Sequence, residues 1–342
     1  MTFDLDQVFD RHDTGSTKWS RYPADVLPMW VADMDFAVPD AITEALQKRA
    51  SHPIYGYSIA PESLYQALID WLLLKHQWPV KREWIVLTPG VVPSLNLVVA
   101  ALTAENAGVI VQPPVYFPFL SAVKDQNRRL IENPLILEED DLGNLHYQMD
   151  LSQLDTCARE ASLLMFCSPH NPVGRVWLKE ELLALLAVAK KHNLIILADE
   201  IHADLVYADT QHHTLSRLAF ENAPAPSSID APHAIITAVS PSKTFNIPGL
   251  GLSALIIPDA NYRRTIQSHL TKIAVSVNNP FSMIAFEAAY RGGADWLSEL
   301  MAYLQATRDE AIAFIRAHIP KINAVCPEGT YLLWLDCRKL NL

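Results

Sequence analysis

Ser240-Pro241-Ser242-Lys243-Thr244-Phe245-Asn246 follows an apolar run, residues 233–239, that reads as a buried strand. A lysine at the end of such a strand is costly, because its ammonium leaves water with no partner in view. Two readings stand. Either the head of Lys243 reaches solvent past the strand end, or the amine is consumed covalently, as in a Schiff base with an aldehyde. Asn246, Pro248, Gly249 and Gly251 then read as a loop.

Working outward, strands and helices alternate. The pattern predicts strands over 84–87, 108–111, 129–131, 162–167, 194–198 and 252–257. Between them it predicts helices over 92–102, 117–125, 150–160 and 178–192. Residues 138–144 read as an acidic solvated loop and 209–232 as a polar one. This alternation is the signature of an α/β fold with a mainly parallel sheet sandwiched by helices. In such sheets ligands bind at the carboxyl ends of the strands. Gly90, Asn171, Asp199, Ser240 and Lys243 all fall at those ends, from four separate strands. Their convergence defines a candidate site by geometry.

The flanks are different. The first 37 residues lack periodicity and carry Trp19, Trp30 and the run Met29-Trp30-Val31-Ala32-Asp33-Met34-Asp35-Phe36, which suits a segment packed on another surface, a second subunit being one. Pro39 at the first helical position opens a helix to Ala50, and Pro61-Glu62 opens another with Leu64, Leu68, Trp71 and Leu72 on its apolar side. Residues 259–318 read as almost all helix, including a long one over 295–316, and 331–335 read as a strand. The 342 residues, half of them hydrophobic, suit two domains. The expected division is an N-terminal arm with part of a small domain (1–45), a large domain (46–290), and a linking helix with the start of a small α+β domain (291–342). That small domain is expected to be C-terminally incomplete, because the chain stops at Leu342 as it begins.

A net charge of −11 argues against a nucleic-acid or anionic-membrane surface. Cys157, Cys167, Cys326 and Cys337 form no C-x-x-C pair and read as reduced thiols of a cytoplasmic protein. The N-terminus lacks the apolar segment of a signal peptide, and the purest apolar run, 182–189, is too short to span a bilayer. The scattered histidines show no metal-binding register.

An aldehyde cofactor with a phosphate handle needs a lysine, an acid for a ring nitrogen, a donor for a ring hydroxyl and an anion cradle. Pyridoxal 5′-phosphate (PLP) is such a group. Asp199 is placed for the ring nitrogen, or else caps a nearby helix. Asn171 is placed for the hydroxyl, or else forms a turn before Pro172. Gly90-Val91-Val92 opens a helix whose free amides suit a phosphate, or else makes an ordinary tight turn. Ser240 and Ser242 add hydroxyl donors.

Asn171-Pro172-Val173-Gly174, Asp199-Glu200-Ile201-His202 and the Lys243 stretch, in this order, resemble the aspartate-aminotransferase-like (class I/II) PLP enzymes. Ala32-Asp33-Met34-Asp35-Phe36, Tyr55-Gly56-Tyr57, Thr88-Pro89-Gly90-Val91-Val92-Pro93 and Asn246-Ile247-Pro248 are similar to the MalY/PatB-type cystathionine β-lyase (C–S β-lyase) branch. The resemblance implies that Lys243 holds PLP and takes the substrate Cα proton. It further implies that Asp199 pairs the ring nitrogen, Asn171 the ring hydroxyl, and Tyr116 stacks on the ring, with His202 beside them. Gly90, Val91, Val92, Ser240 and Ser242 would surround the phosphate. Tyr57 would reach the phosphate of a neighbouring subunit, so a homodimer is expected. The implied activity is β-elimination from cystathionine or related cysteine S-conjugates. An aminotransferase is the alternative, and a non-catalytic PLP-binding protein acting through a protein partner is the alternative of another class. Two departures stand out. Gly251 occupies the position where aminotransferases often carry an arginine, and the arginine that holds the substrate carboxylate in the family would lie past Leu342. The expectation is a chain that binds PLP but turns over amino acids poorly.

Overall fold

The computed structural model describes residues 3–139, 144–222 and 234–341. In chain order the strands are β1 (Ile85–Thr88), β2 (Gly108–Val111), β3 (Arg129–Glu132), β4 (Ile136–Glu139), β5 (Leu145–Gln148), β6 (Ala161–Cys167), β7 (Ile195–Asp199), β8 (Ile235–Val239), β9 (Ser253–Ile256), β10 (Asn323–Ala324) and β11 (Leu335–Asp336). Seven form one sheet in the order β1-β9-β8-β7-β6-β2-β3. β3, β2, β6, β7 and β8 pair in parallel. β9 is antiparallel to both β8 and β1, so β1 runs the same way as the parallel five. The carboxyl ends of β1, β6, β7 and β8 therefore share one edge.

Side-chain alternation splits the sheet between two cores. Leu163, Met165, Cys167, Leu197, Ile236 and Ala238 face a core built with Val91, Leu95 and Val98 of the helix Val91–Leu102. Leu164, Phe166, Ile196 and Ala198 face the opposite core, with Leu182, Leu185 and Leu186 of the helix Lys179–His192. The second helix is strongly specified by its ends. Glu180 and Glu181 occupy its first turn, Lys190, Lys191 and His192 its last, and Asn193 ends it in the left-handed region. Glu181 also accepts the Leu178 amide at 2.7 Å.

Several expectations need correcting. Lys243 is the third residue of a one-turn helix, Pro241–Thr244, capped by the Ser240 hydroxyl, and is not on the strand end itself. Pro39 is the N-cap of the helix Asp40–Ala50, one position earlier than expected. The acidic loop begins as β4, which pairs with β5 in a hairpin; Leu145 and Tyr147 of β5 are buried, and that alternation outweighs the local acidity. Residues 140–143 of that loop lie outside the described residues. The polar stretch 209–232 contains the helix Leu215–Glu221, whose Leu215 and Leu218 are buried. The rest of that stretch from residue 223, with His233, lies outside the described residues. The strand expected over 331–335 shrinks to β11, paired with β10. Its start is diverted because Thr330 has φ 68° and its hydroxyl takes the Leu332 amide at 3.2 Å. The helical region resolves into Ala260–Lys272, Pro280–Gly292 and Ala294–His318. No helix among the described residues is long and apolar enough to cross a membrane.

The turn that carries Lys243 is anchored by Phe245, fully buried against Trp71, Tyr290 and Trp296. Gly293 makes room for that ring at the start of the long helix. A Cβ on Gly293 would sit 2.2 Å from Phe245 Cε1. Gly293→Ala is expected to displace the ring and to cost about 1–3 kcal/mol, read from the urea midpoint. An unchanged midpoint would show that the ring relaxes without penalty.

Candidate active site

Asp199 ends β7 and is 4% exposed. Its Oδ1 accepts the Ile201 amide at 3.1 Å. Burial pushes the carboxyl up to about 7; the Ile201 amide opposes this, Glu200 adds to it, and the charge of Lys243 pulls it down. Lys243, one strand over, is itself mostly withdrawn from water. Burial lowers its amine below the ordinary lysine range, against the charges of Asp33 and Asp199. Its Nζ donates to the Ala32 carbonyl at 2.5 Å, and the Tyr331 hydroxyl donates to the same oxygen at 2.9 Å.

That carbonyl belongs to the aperiodic N-terminal arm, which is tied down from two sides. Asn246 accepts the Met34 amide at 2.9 Å and donates to Met34 O at 3.0 Å and Phe36 O at 2.9 Å. Arg11 grips Asp33 with both terminal nitrogens, at 3.0 and 3.1 Å, and Asp35 at 2.7 Å. Lys18 donates to Asp35 at 2.5 Å and to the Asp33 carbonyl at 3.0 Å.

Asn171 follows β6. Its amide donates to Cys167 Sγ at 3.4 Å, and its carbonyl accepts the Tyr116 amide at 2.9 Å, which sets Tyr116 beside it. The Asn171 side chain is buried and has no hydrogen-bond partner among the described residues. The Tyr116 phenol is raised by burial and by the charge of Asp199. His202 is 1% exposed, and neither ring nitrogen has a partner among the described residues. Burial, then the Lys243 charge, pushes it down to about 3. Its ring stands edge-on to Tyr331 at 6.1 Å.

At the other end of the cluster, the helix Val91–Leu102 starts at Gly90. Ser94 N bonds Gly90 O at 3.1 Å, so the amides of Val91 and Val92 lie ahead of the first intrahelical bond. Ser240 is already engaged: its hydroxyl donates to Leu252 O at 2.9 Å and accepts the Ser242 amide at 3.2 Å. To donate to an anion it must rotate. Ser242 is half-buried beside it. A Cβ on Gly251 would meet Pro89 O at 2.8 Å, so a longer side chain there would displace the loop that precedes Gly90. Tyr57 stands apart from this cluster, 97% exposed.

Lys243, Asp199, Asn171, Tyr116, His202 and the Gly90–Val92 turn thus gather at one sheet edge. Among the described residues, a buried carboxyl with no ion-pair partner, an unpartnered asparagine side-chain amide and free helix-start amides fit a phosphorylated pyridine with a ring nitrogen and hydroxyl. Asp33 and Asn246 lie in stretches that carry the family resemblance, but the sequence assigns no role to the Ala32 carbonyl, to Tyr331 or to the clamp that Asn246 makes on the arm. A backbone carbonyl has no sequence signal, and Tyr331 falls in a stretch that the pattern assigns to a strand. Asn246, at φ 55°, is signalled as a loop residue and as part of a family motif, not by its contacts.

The sequence profile of aminotransferase class I and II matches residues 24–341. The chain belongs to this family. It is 39% identical to cystathionine beta-lyase PatB of Bacillus subtilis (strain 168), over 98% of this chain and 84% of PatB. It is 31% identical to protein MalY of Escherichia coli (strain K12), over 99% of this chain and 85% of MalY. The crystal structure of cystalysin from Treponema denticola, which contains a pyridoxal 5′-phosphate cofactor, superimposes with a TM-score of 0.91 at 32% identity, covering 100% of this chain and 86% of that one. The cofactor of this class I and II family member is PLP, which the donor set at the sheet edge fits.

The Asp199 carboxyl titrates near 7 when folded, above its ordinary 3.8, so the folded state holds this proton more tightly than the unfolded chain. Its favourable contribution is fully present below about pH 4 and is lost as pH rises through about 7. In the PLP-free protein, Asp199→Asn is therefore expected to raise the urea midpoint more at pH 8 than at pH 5. An equal effect at both would mean that Asp199 is solvated or paired.

Proposed function

We propose that this chain is a PLP-dependent C–S β-lyase that cleaves cystathionine or related cysteine S-conjugates to a thiol, pyruvate and ammonia. The observation that carries this is the convergence of Lys243, Asp199 and Asn171 at the ends of the adjacent strands β8, β7 and β6, in a chain 39% identical to a cystathionine beta-lyase.

When bound, PLP supplies an electron sink for the pair released at the substrate Cα. The protein's own residues do the rest. Lys243 holds the cofactor, and its amine, lowered by burial, is a competent base for the Cα proton. As that proton moves to Nζ, the Cβ–S bond breaks and the thiolate leaves; hydrolysis of the remaining enamine gives pyruvate and ammonia. Asp199 keeps a proton at the ring nitrogen by charge. Asn171 would orient the ring hydroxyl, with Tyr116 and His202 beside the ring. The amides of Val91 and Val92, with Gly90, receive the phosphate, helped by Ser242 and by a rotated Ser240.

We read the assembly as a homodimer in which Tyr57 of one subunit reaches the phosphate in the other. In support, Ile54, Tyr55, Tyr57 and Ile59 are all left to water in a single chain. An aminotransferase shares the first proton transfer, and the family name keeps it as the second reading.

PLP-loaded protein given cystathionine alone is expected to release pyruvate and thiol in equal amounts. Amino-group transfer to an added keto acid, with no thiol, would favour the aminotransferase. Lys243→Ala should lower thiol release by about 10²–10⁴-fold. PLP affinity should fall as the protein is diluted to monomer, and tight binding by a proven monomer would contradict the role given to Tyr57.

A further inference from the structure

A second buried polar cluster lies behind the strand ends that carry Asp199 and Lys243, and the chemistry above does not use it. Asp204 is its centre, with a side chain 9% exposed. Its Oδ1 accepts from His76 Nε2 at 2.8 Å and Trp71 Nε1 at 3.0 Å. Its Oδ2 accepts from the Thr244 hydroxyl at 2.8 Å. Thr244 is fully buried and directly follows Lys243 as the last residue of the one-turn helix. His76 meets His212 edge-on at 5.6 Å, and His212 Nε2 lies 3.1 Å from Glu200, the neighbour of Asp199. Trp71, His76, Glu200, Asp204, Ser240 and Tyr290 line a cavity of about 10 Å³, the size of one water molecule.

A helix of four residues cannot hold its own geometry, because too few backbone bonds offset the cost of fixing it. Among the described residues its side chains make two hydrogen bonds, Lys243 to Ala32 and Thr244 to Asp204. The first is broken whenever the amine does chemistry. The second is then the remaining hydrogen bond from the turn's own side chains, beside the Ser240 cap and the buried Phe245 ring that follows.

We propose that Asp204, backed by His76, is a positioning residue for Lys243, fixing the catalytic turn through the Thr244 hydroxyl. This rests on the PLP reading of Lys243. Burial pushes Asp204 up, but His76, Thr244 and Trp71 outweigh it and hold the carboxyl below its ordinary range. Burial lowers His76, but Asp204 and Glu200 outweigh it and raise the imidazole, against Lys75. His212 faces the same ring, and Arg217 donates to the His76 carbonyl at 3.0 Å. The pair is therefore ionised between the depressed Asp204 titration and the raised His76 titration. It is lost as pH rises through the latter.

The test uses PLP-loaded protein. Thr244→Val removes the hydroxyl at nearly constant volume. It is expected to lower kcat for thiol release about tenfold with KM within about twofold, as misaimed reacting groups do. It should also move the pH midpoint of the bound cofactor's visible absorbance, and Thr244→Ser should restore both. His76→Gln should move the same midpoint, and adding it to Thr244→Val should cost little more, because both act through one bond. If Thr244→Val lowers the melting temperature but leaves kcat and the midpoint unchanged, the cluster is only structural and the proposal fails. Should Thr244→Val not fold, an unmoved midpoint in His76→Gln overturns it equally. Wild-type protein with no visible band would instead bring down the PLP reading beneath it.

Discussion

The amine of Lys243 is held out of water by one backbone oxygen, that of Ala32, at 2.5 Å. An ammonium so placed is tolerated only where nearby negative charge and good acceptors replace water. Asp33 and Asp199 supply the charge, and the Ala32 carbonyl supplies the acceptor. Much of the surrounding structure keeps that carbonyl in place. Asn246 makes three bonds to the arm from three residues beyond the lysine. Arg11 bridges Asp33 and Asp35, and Lys18 pairs with Asp35, so the two carboxylates are held together across one residue despite their repulsion. Tyr331 closes the same oxygen from the C-terminal side.

Sheet topology brings the other groups to this amine. With β9 alone reversed, the chain leaves β8 through Lys243, turns back along β9, and pairs with β1. That path carries Gly251 past Pro89, close enough that a Cβ would clash with the Pro89 carbonyl. The lysine loop and the Gly90 turn are thereby packed backbone to backbone. A side chain at Gly251 would displace that loop, so a phosphate held there would rely on helix-start amides and hydroxyls. In the proposed reading, the aldehyde end and the phosphate end of one cofactor would be served by loops that constrain each other.

Much of this was legible in the sequence, for definable reasons. Asp199 ends an apolar run, Asn171 and Lys243 each follow one by four residues, and an alternating strand–helix pattern sends such ends to one edge. The strands β2 and β6 to β9 were found within one or two residues because their runs are buried on both faces. What stayed hidden depended on tertiary contact. The Ala32 carbonyl, the bonds of Asn246 across more than two hundred residues, and the Asp204–Thr244 tie leave no local pattern. The β4–β5 hairpin was masked by its own acidity, and residues 331–335 by a Thr330 conformation that apolar periodicity does not report.

The central claim is that the buried amine of Lys243, and no other, is the one that PLP engages. Reduction of the PLP-loaded protein with borohydride, followed by proteolysis and mass spectrometry, reads this directly. The account predicts a single phosphopyridoxyl-labelled peptide containing Lys243, with labelling suppressed in Lys243→Ala. Label on a different lysine in the wild-type protein, or equal labelling of the variant, would contradict it.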